Sequence, residues 1–314
     1  MASEFSEGNS VASNSKINAP LVSVVTSAYN LEKYIAKTIE SVLSQKINFK
    51  LELVIGEDFS KDNTKQIILD YQEKYPETIK VLLTEKNLGI TPNFIRIHNA
   101  CKGKYIALLD GDDYWTDEDK LQKQIDFLEN NLSFAGSAHQ STVIYNNNDP
   151  SHEFGPKEDA NFGVFDTISN RKFHTSSLVY RKEIWDKSGG IPATVLVSND
   201  RAIYPLVAIF GPIKYFKESM CVYRQTGIGI SSSASVVQVE TELNMIPWLK
   251  KLDKNFPYIR FKSFLHLSIY TNASKINFWS LLKHFTMFAI CSFSYFPKNL
   301  RDIKFGCSQF FKKL

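Results

Sequence analysis

The sequence predicts an α/β fold: a mostly parallel sheet with helices on both faces, followed by a C-terminal helical extension. Three observations predict it. Short β-branched, apolar runs alternate with segments of helical periodicity from residue 20 to residue 109, the β-α-β-α-β-α-β order that builds a parallel sheet. The fourth of these runs, Ile106-Ala-Leu-Leu109, is apolar at every position, as a strand buried on both faces must be. Beyond about Thr241 the strand pattern stops and the chain reads as helices.

Residues 1–19 are polar, rich in Ser and Asn, and lack the apolar segment of a signal peptide, so they read as disordered. Leu21 to Ala28 is the first strand. Asn30 is positioned to cap a helix carrying Tyr34, Ile35, Ile39, Val42 and Leu43 on one face. Leu51 to Ile55 is the second strand, and Asp62 or Asn63 caps a helix with Ile67, Ile68 and Tyr71 facing inward. Ile79 to Leu83 is the third strand. Thr91-Pro92 reads as an N-cap followed by proline at the first helical position, with Gly103 as terminator. Past Trp115 the pattern predicts a helix over 118–130, a strand over 134–145, a polar loop over 146–161 and a strand over 173–181. A helix starting near Asn199, despite Pro205, and a last strand over 213–224 follow. The expected division is a domain over 20–235 and a basic, aromatic-rich helical region over 236–314.

Hydrophobic residues make up 43% and charged residues 22%, ordinary for a chain that buries a sizeable core. The net charge of +4 is unevenly spread. Residues 250–314 hold 12 lysines and arginines against two acids, Asp253 and Asp302, so 12 − 2 = +10 lies there and 4 − 10 = −6 in the remainder. The four cysteines lack a zinc-type spacing and read as reduced thiols in a cytoplasmic setting. No run reaches the ~20 apolar residues of a membrane-spanning helix. The segment Phe285 to Phe296, flanked by Lys298, Arg301, Lys304, Lys312 and Lys313, fits peripheral contact with the inner face of the plasma membrane, or alternatively a helical cap or oligomer interface. No nucleic-acid partner is expected.

The chemistry concentrates after the fourth strand, at Asp110-Gly111-Asp112-Asp113. Three packed carboxylates repel one another unless something positive sits between them. A hard divalent cation whose remaining positions are taken by phosphate oxygens meets that need. The alternative is an acidic turn with Gly111 at positive φ. Three further segments stand after earlier strands. In Ser27-Ala-Tyr29-Asn30-Leu-Glu32 a tyrosine and an asparagine suit a base and a ribose or phosphate. In Glu57-Asp58-Phe-Ser60-Lys-Asp62-Asn-Thr64 a carboxylate is available to a base N–H. The last is Asn87-Leu-Gly89-Ile-Thr-Pro-Asn93.

These four segments, in this order, resemble the family 2 glycosyltransferases, whose nucleotide-sugar-binding domain has the GT-A, Rossmann-like fold. The resemblance runs roughly from Pro20 to Ser233. It implies an inverting, metal-dependent enzyme that moves one sugar from a nucleotide donor, a UDP-sugar foremost, to a hydroxyl of a glycan or lipid-linked oligosaccharide in bacterial surface-polysaccharide assembly. It implies that Tyr29 and Asn30 lie by the nucleoside and Asp58 on the base. Asp110 and Asp112 would form the DxD motif, Asp110 toward the ribose and Asp112 on Mn²⁺ or Mg²⁺ at the diphosphate, with Asp113 as alternative ligand. Ser27, Glu32, Asn87, Gly89, Asn93 and Gly111 complete the donor-binding segments.

Inversion needs a general base on the opposite face of the sugar. The family carries it in an acidic pair, usually Glu-Asp, at the start of a later helix. Ser198-Asn199-Asp200-Arg201 stands there, which makes Asp200 the expected base. His174-Thr-Ser-Ser177 and the strand after it resemble the family's wall of the sugar and acceptor pocket. Tyr223-Arg224 resembles its Tyr-Arg-x-His segment, with Thr226 in the histidine's place and Arg224 expected on phosphate. Trp115 suits either acceptor stacking or the core. The Gln-x-x-Arg-Trp motif of processive synthases is absent. A sugar-phosphate nucleotidyltransferase would instead need a Gly-rich, basic loop after the first strand. A non-catalytic sugar-nucleotide-binding protein would leave the acids without a purpose.

Overall fold

The computed structural model describes residues 19–145, 152–197, 199–225, 235–272, 276–294 and 300–313. Nearly all of the segment expected to be disordered, and the Thr226 position, lie outside them. Ten strands form one sheet: β1 (Val22–Ala28), β2 (Leu51–Glu57), β3 (Ile79–Leu82), β4 (Tyr105–Leu108), β5 (Tyr114–Trp115), β6 (Gly136–Tyr145), β7 (His152–Phe154), β8 (Ala160–Phe162), β9 (Val179–Arg181) and β10 (Ile213–Gln225). Their order is β3-β2-β1-β4-β9-β6-β10-β5, with β7 beside β6 and β8 beside β10. The four longest ladders, β6–β10, β1–β2, β2–β3 and β1–β4, are parallel, and the shorter ones are antiparallel. The chain runs outward from β1 through β2 to β3, then returns to lay β4 on the other side of β1. That reversal opens a crevice at the carboxyl ends of β1 and β4, where open α/β sheets bind ligands.

Side chains of β1 and β4 alternate between two cores, as a period of two requires. Val25, Ile106 and Leu108 join Phe94 and Ile97 of α3 (Ile90–Ala100) on one face. Val22, Val24, Tyr105 and Ala107 join residues of α1 (Ile35–Leu43), α2 (Thr64–Lys74) and α4 (Lys120–Asn130) on the other. Helices therefore cover both faces. Helix α3 lies directly on β2 because residue 56 is glycine: a Cβ there would stand 2.4 Å from Asn93 Oδ1 and 2.5 Å from Ile97 Cδ1.

Several local expectations change. Asn30 does not cap α1, which begins at Ile35; Asn30 takes φ 55 and joins two loops instead. Helix α3 starts after Gly89, with Thr91 and Pro92 inside its first turn. The polar stretch before residue 162 contains the edge strands β7 and β8. The first half of 173–181 is a 3-10 turn over Thr175–Ser177, because the His174 carbonyl accepts the Ser177 N–H and the hydroxyl of the same serine. Side chains that bond their own backbone compete with strand pairing in this way.

After β8 come α5 (Val164–Thr167), α6 (Lys182–Ser188) and α7 (Asn199–Ile209). The C-terminal region forms α8 (Val236–Glu240), α9 (Met245–Leu252), α10 (Tyr258–Asn272), α11 (Phe278–Phe293) and α12 (Leu300–Lys313). Its first part shares the main core: Met245, Leu249, Phe256, Phe261 and Leu265 pack in one cluster with Ala138, Ile203 and Val207. Arg201 of α7 donates to the buried Glu242 carboxylate at 2.7 Å and to the Ser268 hydroxyl. Leu267, Tyr270, Leu281, Phe288 and Phe310 close a separate core among α10, α11 and α12. Among the described residues no helix is long and apolar enough to cross a membrane, and the four cysteines are free, three of them buried.

One buried cation organises the sheet's middle. The Arg181 guanidinium donates to the carbonyls of Phe134 (2.9 Å), Leu128 (2.7 Å) and Asn131 (3.3 Å) and to the Tyr105 hydroxyl (2.9 Å), so it closes the C-terminal end of α4. Replacing Arg181 by Met is expected to lower stability by about 2–4 kcal/mol, since buried acceptors lose a charged donor. Chemical denaturation measures this.

Candidate active site

The acidic turn sits on α1. The buried Thr38 hydroxyl shares its proton between the main-chain oxygens of Gly111 (2.9 Å) and Asp113 (2.6 Å). Gly111 is not among the residues at positive φ. It is needed for close approach: a Cβ there would meet the Ser27 carbonyl oxygen at 2.5 Å and Leu31 Cδ1 at 2.7 Å. Gly111→Ala is therefore expected to push the turn away from β1. A loss of about 1–3 kcal/mol, typical of overpacking, would appear as a lower thermal midpoint together with weaker donor binding.

The three carboxylates are held differently. Asp113 is fully buried, and both its oxygens are engaged: Oδ1 accepts the Arg224 N–H (2.9 Å) and Oδ2 the Ser176 hydroxyl (2.6 Å). Ser176 Oγ in turn accepts the Asp110 N–H at 3.0 Å. Asp112 has its main-chain oxygen bonded by the Arg224 guanidinium (2.6 Å), which also lies over the rings of Tyr34 and Tyr114, at 5.0 and 4.7 Å. The Asp112 carboxylate accepts its own backbone N–H and no other hydrogen bond among the described residues.

Burial pushes all three acids upward. Asp110 rises to about 7, through burial first and then the charges of Asp112 and Asp200, against the opposing Arg171. Asp113 rises through burial and then its two acidic neighbours. Burial likewise raises Asp112, against its own backbone hydrogen bond and Arg224. His174, buried and stacked on Tyr223 at 3.8 Å, is held neutral by burial and by Arg171. Its Nδ1 accepts the Ser176 N–H (3.3 Å) and also stands 3.3 Å from Asp113 Oδ2. Two acceptors at that distance need a proton or a cation between them. Asp110, Asp113 and His174 each offer one ligand atom, all within 4.8 Å of one another. This donor set, with Asp112 beside it, fits a hard divalent cation.

The segments after β1, β2 and β3 form an interlocked floor. Asn30 Oδ1 accepts the Lys61 N–H (2.8 Å), and its own N–H donates to Ser60 Oγ (3.0 Å). Glu32 Oε2 accepts the Asn63 N–H, while the Glu32 N–H donates to Asp62. Asp58 is buried, and its two oxygens accept the N–H groups of Leu88 (2.8 Å) and Gly89 (2.9 Å). Asn87 donates to the Asp58 carbonyl (3.1 Å). Asn93 donates to the Gly56 carbonyl (2.9 Å) and is fully buried. Gly89 holds φ 87. Tyr29 is 43% exposed at the end of β1, and Ser27 lies within β1, its carbonyl against the acidic turn.

Asp200 lies in the first turn of α7. Arg171 Nη1 donates to its Oδ2 at 3.3 Å, and its charge reaches Asp110. Asn199 Oδ1 accepts the buried Thr91 hydroxyl at 2.7 Å, fixing the start of α7 to α3. One turn along, the Tyr204 hydroxyl stands 3.1 Å from Thr175 Oγ1. Through its bond to Asp200, Arg171 joins the candidate site, although in sequence Asn170-Arg171-Lys172 looks like any solvated loop. Trp115 is a core residue, 4% exposed, with Nε1 donating to the Ser176 carbonyl (2.9 Å) and the Lys120 ammonium 4.1 Å from its ring centre. It offers no face to an acceptor.

The chain is similar to several known proteins. An uncharacterised protein of Mycobacterium tuberculosis is 35% identical over 214 residues, 68% of this chain and 61% of its own length. The chain thus spans less than two thirds of that relative. An uncharacterised glycosyltransferase of Nostoc is 32% identical over 228 residues, 70% of each chain. TuaG of Bacillus subtilis, named a putative teichuronic acid biosynthesis glycosyltransferase, is 41% identical over 109 residues, 35% of this chain and 42% of its own. Among solved structures, Staphylococcus aureus TarS in complex with UDP-GlcNAc matches with TM-score 0.67 at 16% identity, covering 92% of this chain and 87% of that one. The mannosyltransferase PcManGT of Pyrobaculum calidifontis, solved with GDP-Man and Mn²⁺, matches at 0.55 and 14%, covering 92% and 80%. The fold is accordingly GT-A. The family model described as glycosyl transferase family 2 matches residues 23–190, from β1 through the acidic turn to the end of α6, and the chain belongs to that family.

Proposed function

We propose that this protein transfers one sugar, with inversion, from a nucleotide-sugar to a hydroxyl of a glycan or lipid-linked glycan in cell-surface polysaccharide assembly. The observation that carries the reading is that α7, whose first turn presents Asp200, meets the acidic turn through one loop. The Tyr204 hydroxyl stands 3.1 Å from Thr175 Oγ1, and the next residue, Ser176, bonds both Asp110 and Asp113. The charge of Asp200 raises Asp110. The nucleotide lies over β1 and β2, by Tyr29, Asn30 and Asp58, with Ser27, Glu32, Asn87, Gly89 and Asn93 shaping its floor. Asp110 faces the ribose. Asp112, whose carboxylate has the fewest internal partners, would hold Mn²⁺ or Mg²⁺ beside the cluster of Asp110, Asp113 and His174, with Asp113, tied to Ser176 and Arg224, as the alternative ligand. An ion bound there supplies Lewis-acid stabilisation to the diphosphate leaving group. Arg224 supports the same charge. Asp200 takes the acceptor hydroxyl's proton as its oxygen bonds the anomeric carbon and the bond to the diphosphate breaks. Arg171 keeps the Asp200 carboxylate oriented.

A UDP-sugar is the favoured donor, in line with the UDP-GlcNAc bound by TarS, and TuaG supports a surface glycan as acceptor. A panel of UDP-, GDP- and CMP-sugars with Mn²⁺ tests this by release of free nucleotide. Neither binding nor hydrolysis of any donor would overturn the reading. Pyrophosphate release from a nucleoside triphosphate and a sugar phosphate would identify a nucleotidyltransferase.

A further inference from the structure

We infer that the outward stripe of α11 docks this protein on an anionic lipid surface. The inference stands apart from the donor site and does not depend on it. Helix α11 buries Leu281, His284, Phe288 and Cys291. Its opposite side leaves Trp279 75%, Ile290 60% and Phe293 75% exposed. Between them Leu282, Lys283, Thr286 and Met287 line a shallow groove with Trp279. Spacings of three and four residues make these positions one continuous stripe on a single helix.

The stripe differs from the one the sequence suggested. Phe285 stacks on Phe310 at 4.0 Å and Phe288 is buried, so neither faces outward. With 16 residues the helix is about 24 Å long, short of a bilayer span, and its bulky apolar side chains lie along one edge.

Charge identifies the occupant. Residues 250–314 carry 12 basic groups against two acids, while the rest of the chain is net negative. The acid beside the stripe, Glu240, is matched by Lys283 at 2.7 Å and hydrogen-bonded by His284 at 2.9 Å. A second copy seated here would bring together two C-terminal regions that each carry a net +10. An uncharged protein partner would make no use of the excess. Anionic headgroups attract the basic groups while the tryptophan and phenylalanine insert at the headgroup boundary.

Co-sedimentation of the full chain with phosphatidylcholine vesicles, with and without phosphatidylglycerol, tests the inference. Binding to the anionic vesicles is expected to be at least tenfold tighter, and to weaken as salt rises. Trp279→Ser, Ile290→Ser and Phe293→Ser combined should reduce it at least tenfold while thermal midpoint and donor binding stay unchanged. The stripe is exposed, so folding should survive. Lys304→Glu with Lys312→Glu leaves the stripe whole and should weaken binding mainly at low salt. No binding by the wild type, equal binding to both vesicles, or undiminished binding of the triple variant would overturn the inference. So would a dimer that the triple variant abolishes, without any vesicle binding.

Discussion

Asp200→Asn is expected to slow sugar transfer by roughly 10²–10⁴-fold, the usual worth of a general base, with donor affinity within about twofold of wild type. Asparagine keeps the size of the side chain and can still accept from Arg171, whose Nη1 stands 3.3 Å away. It cannot take a proton. An acid whose role was confined to the positive end of α7 would contribute only about 0.3–1 kcal/mol of stability, and its loss would move the thermal midpoint and leave turnover alone. Turnover, with water as acceptor until the natural one is known, and donor affinity by calorimetry separate the two. Turnover at the wild-type rate would remove Asp200 from the chemistry.

The expectation for Asp200 came from a motif that this chain breaks. Asn199 stands where the family usually has glutamate, and its amide oxygen takes the Thr91 hydroxyl in a buried contact. The position fastens α7 to α3. Arg201, next in sequence, fastens the same helix to Glu242 and Ser268 of the C-terminal region. Asp200 is thus flanked by two structural anchors, and helices far along the chain hold the element that presents it.

Legibility followed the locality of the physics. Strands β1 and β2 were readable because each buries β-branched and apolar side chains in a short run, and β4 because its run is apolar throughout. The acidic turn was readable because three carboxylates in four residues need an explanation. Pairing across the sheet was not readable. Nothing local to Arg171 says that it will meet Asp200, 29 residues away in sequence. Nothing local to Ser176 says that it will bond both Asp110 and Asp113. Gly111 was noticed, but the sequence offered a backbone angle as its purpose, whereas the Ser27 carbonyl beside it supplies the reason. Asn30 looked like a cap because caps are a local property, but it clamps the loop after β2. Trp115 was ambiguous until its indole N–H was seen bonded inside the core.

The acidic turn yields the second large effect, on metal and donor binding together. Asp112→Asn is expected to weaken donor binding in Mn²⁺ at least tenfold and to erase the rise in thermal midpoint that Mn²⁺ gives the wild type. Asp113→Asn should instead lower the midpoint with or without metal, because that carboxylate ties Ser176 and Arg224 to the turn. Acidity checks the assignment independently. Asp110 titrates at about 7 in the folded chain against its ordinary 3.8. Between those values the folded state holds a proton that the unfolded state has lost, so stability without metal falls as pH rises through that window, and the repulsion is fully present above it. A cation relieves that repulsion and must displace the proton to do so. The Mn²⁺-dependent rise in midpoint should therefore be largest near roughly pH 8 and shrink toward roughly pH 5.5, as carboxylate ligands become protonated. A rise of equal size at both pH values, or one that survives Asp112→Asn, would mean that the ion binds elsewhere and that the turn serves the donor without it.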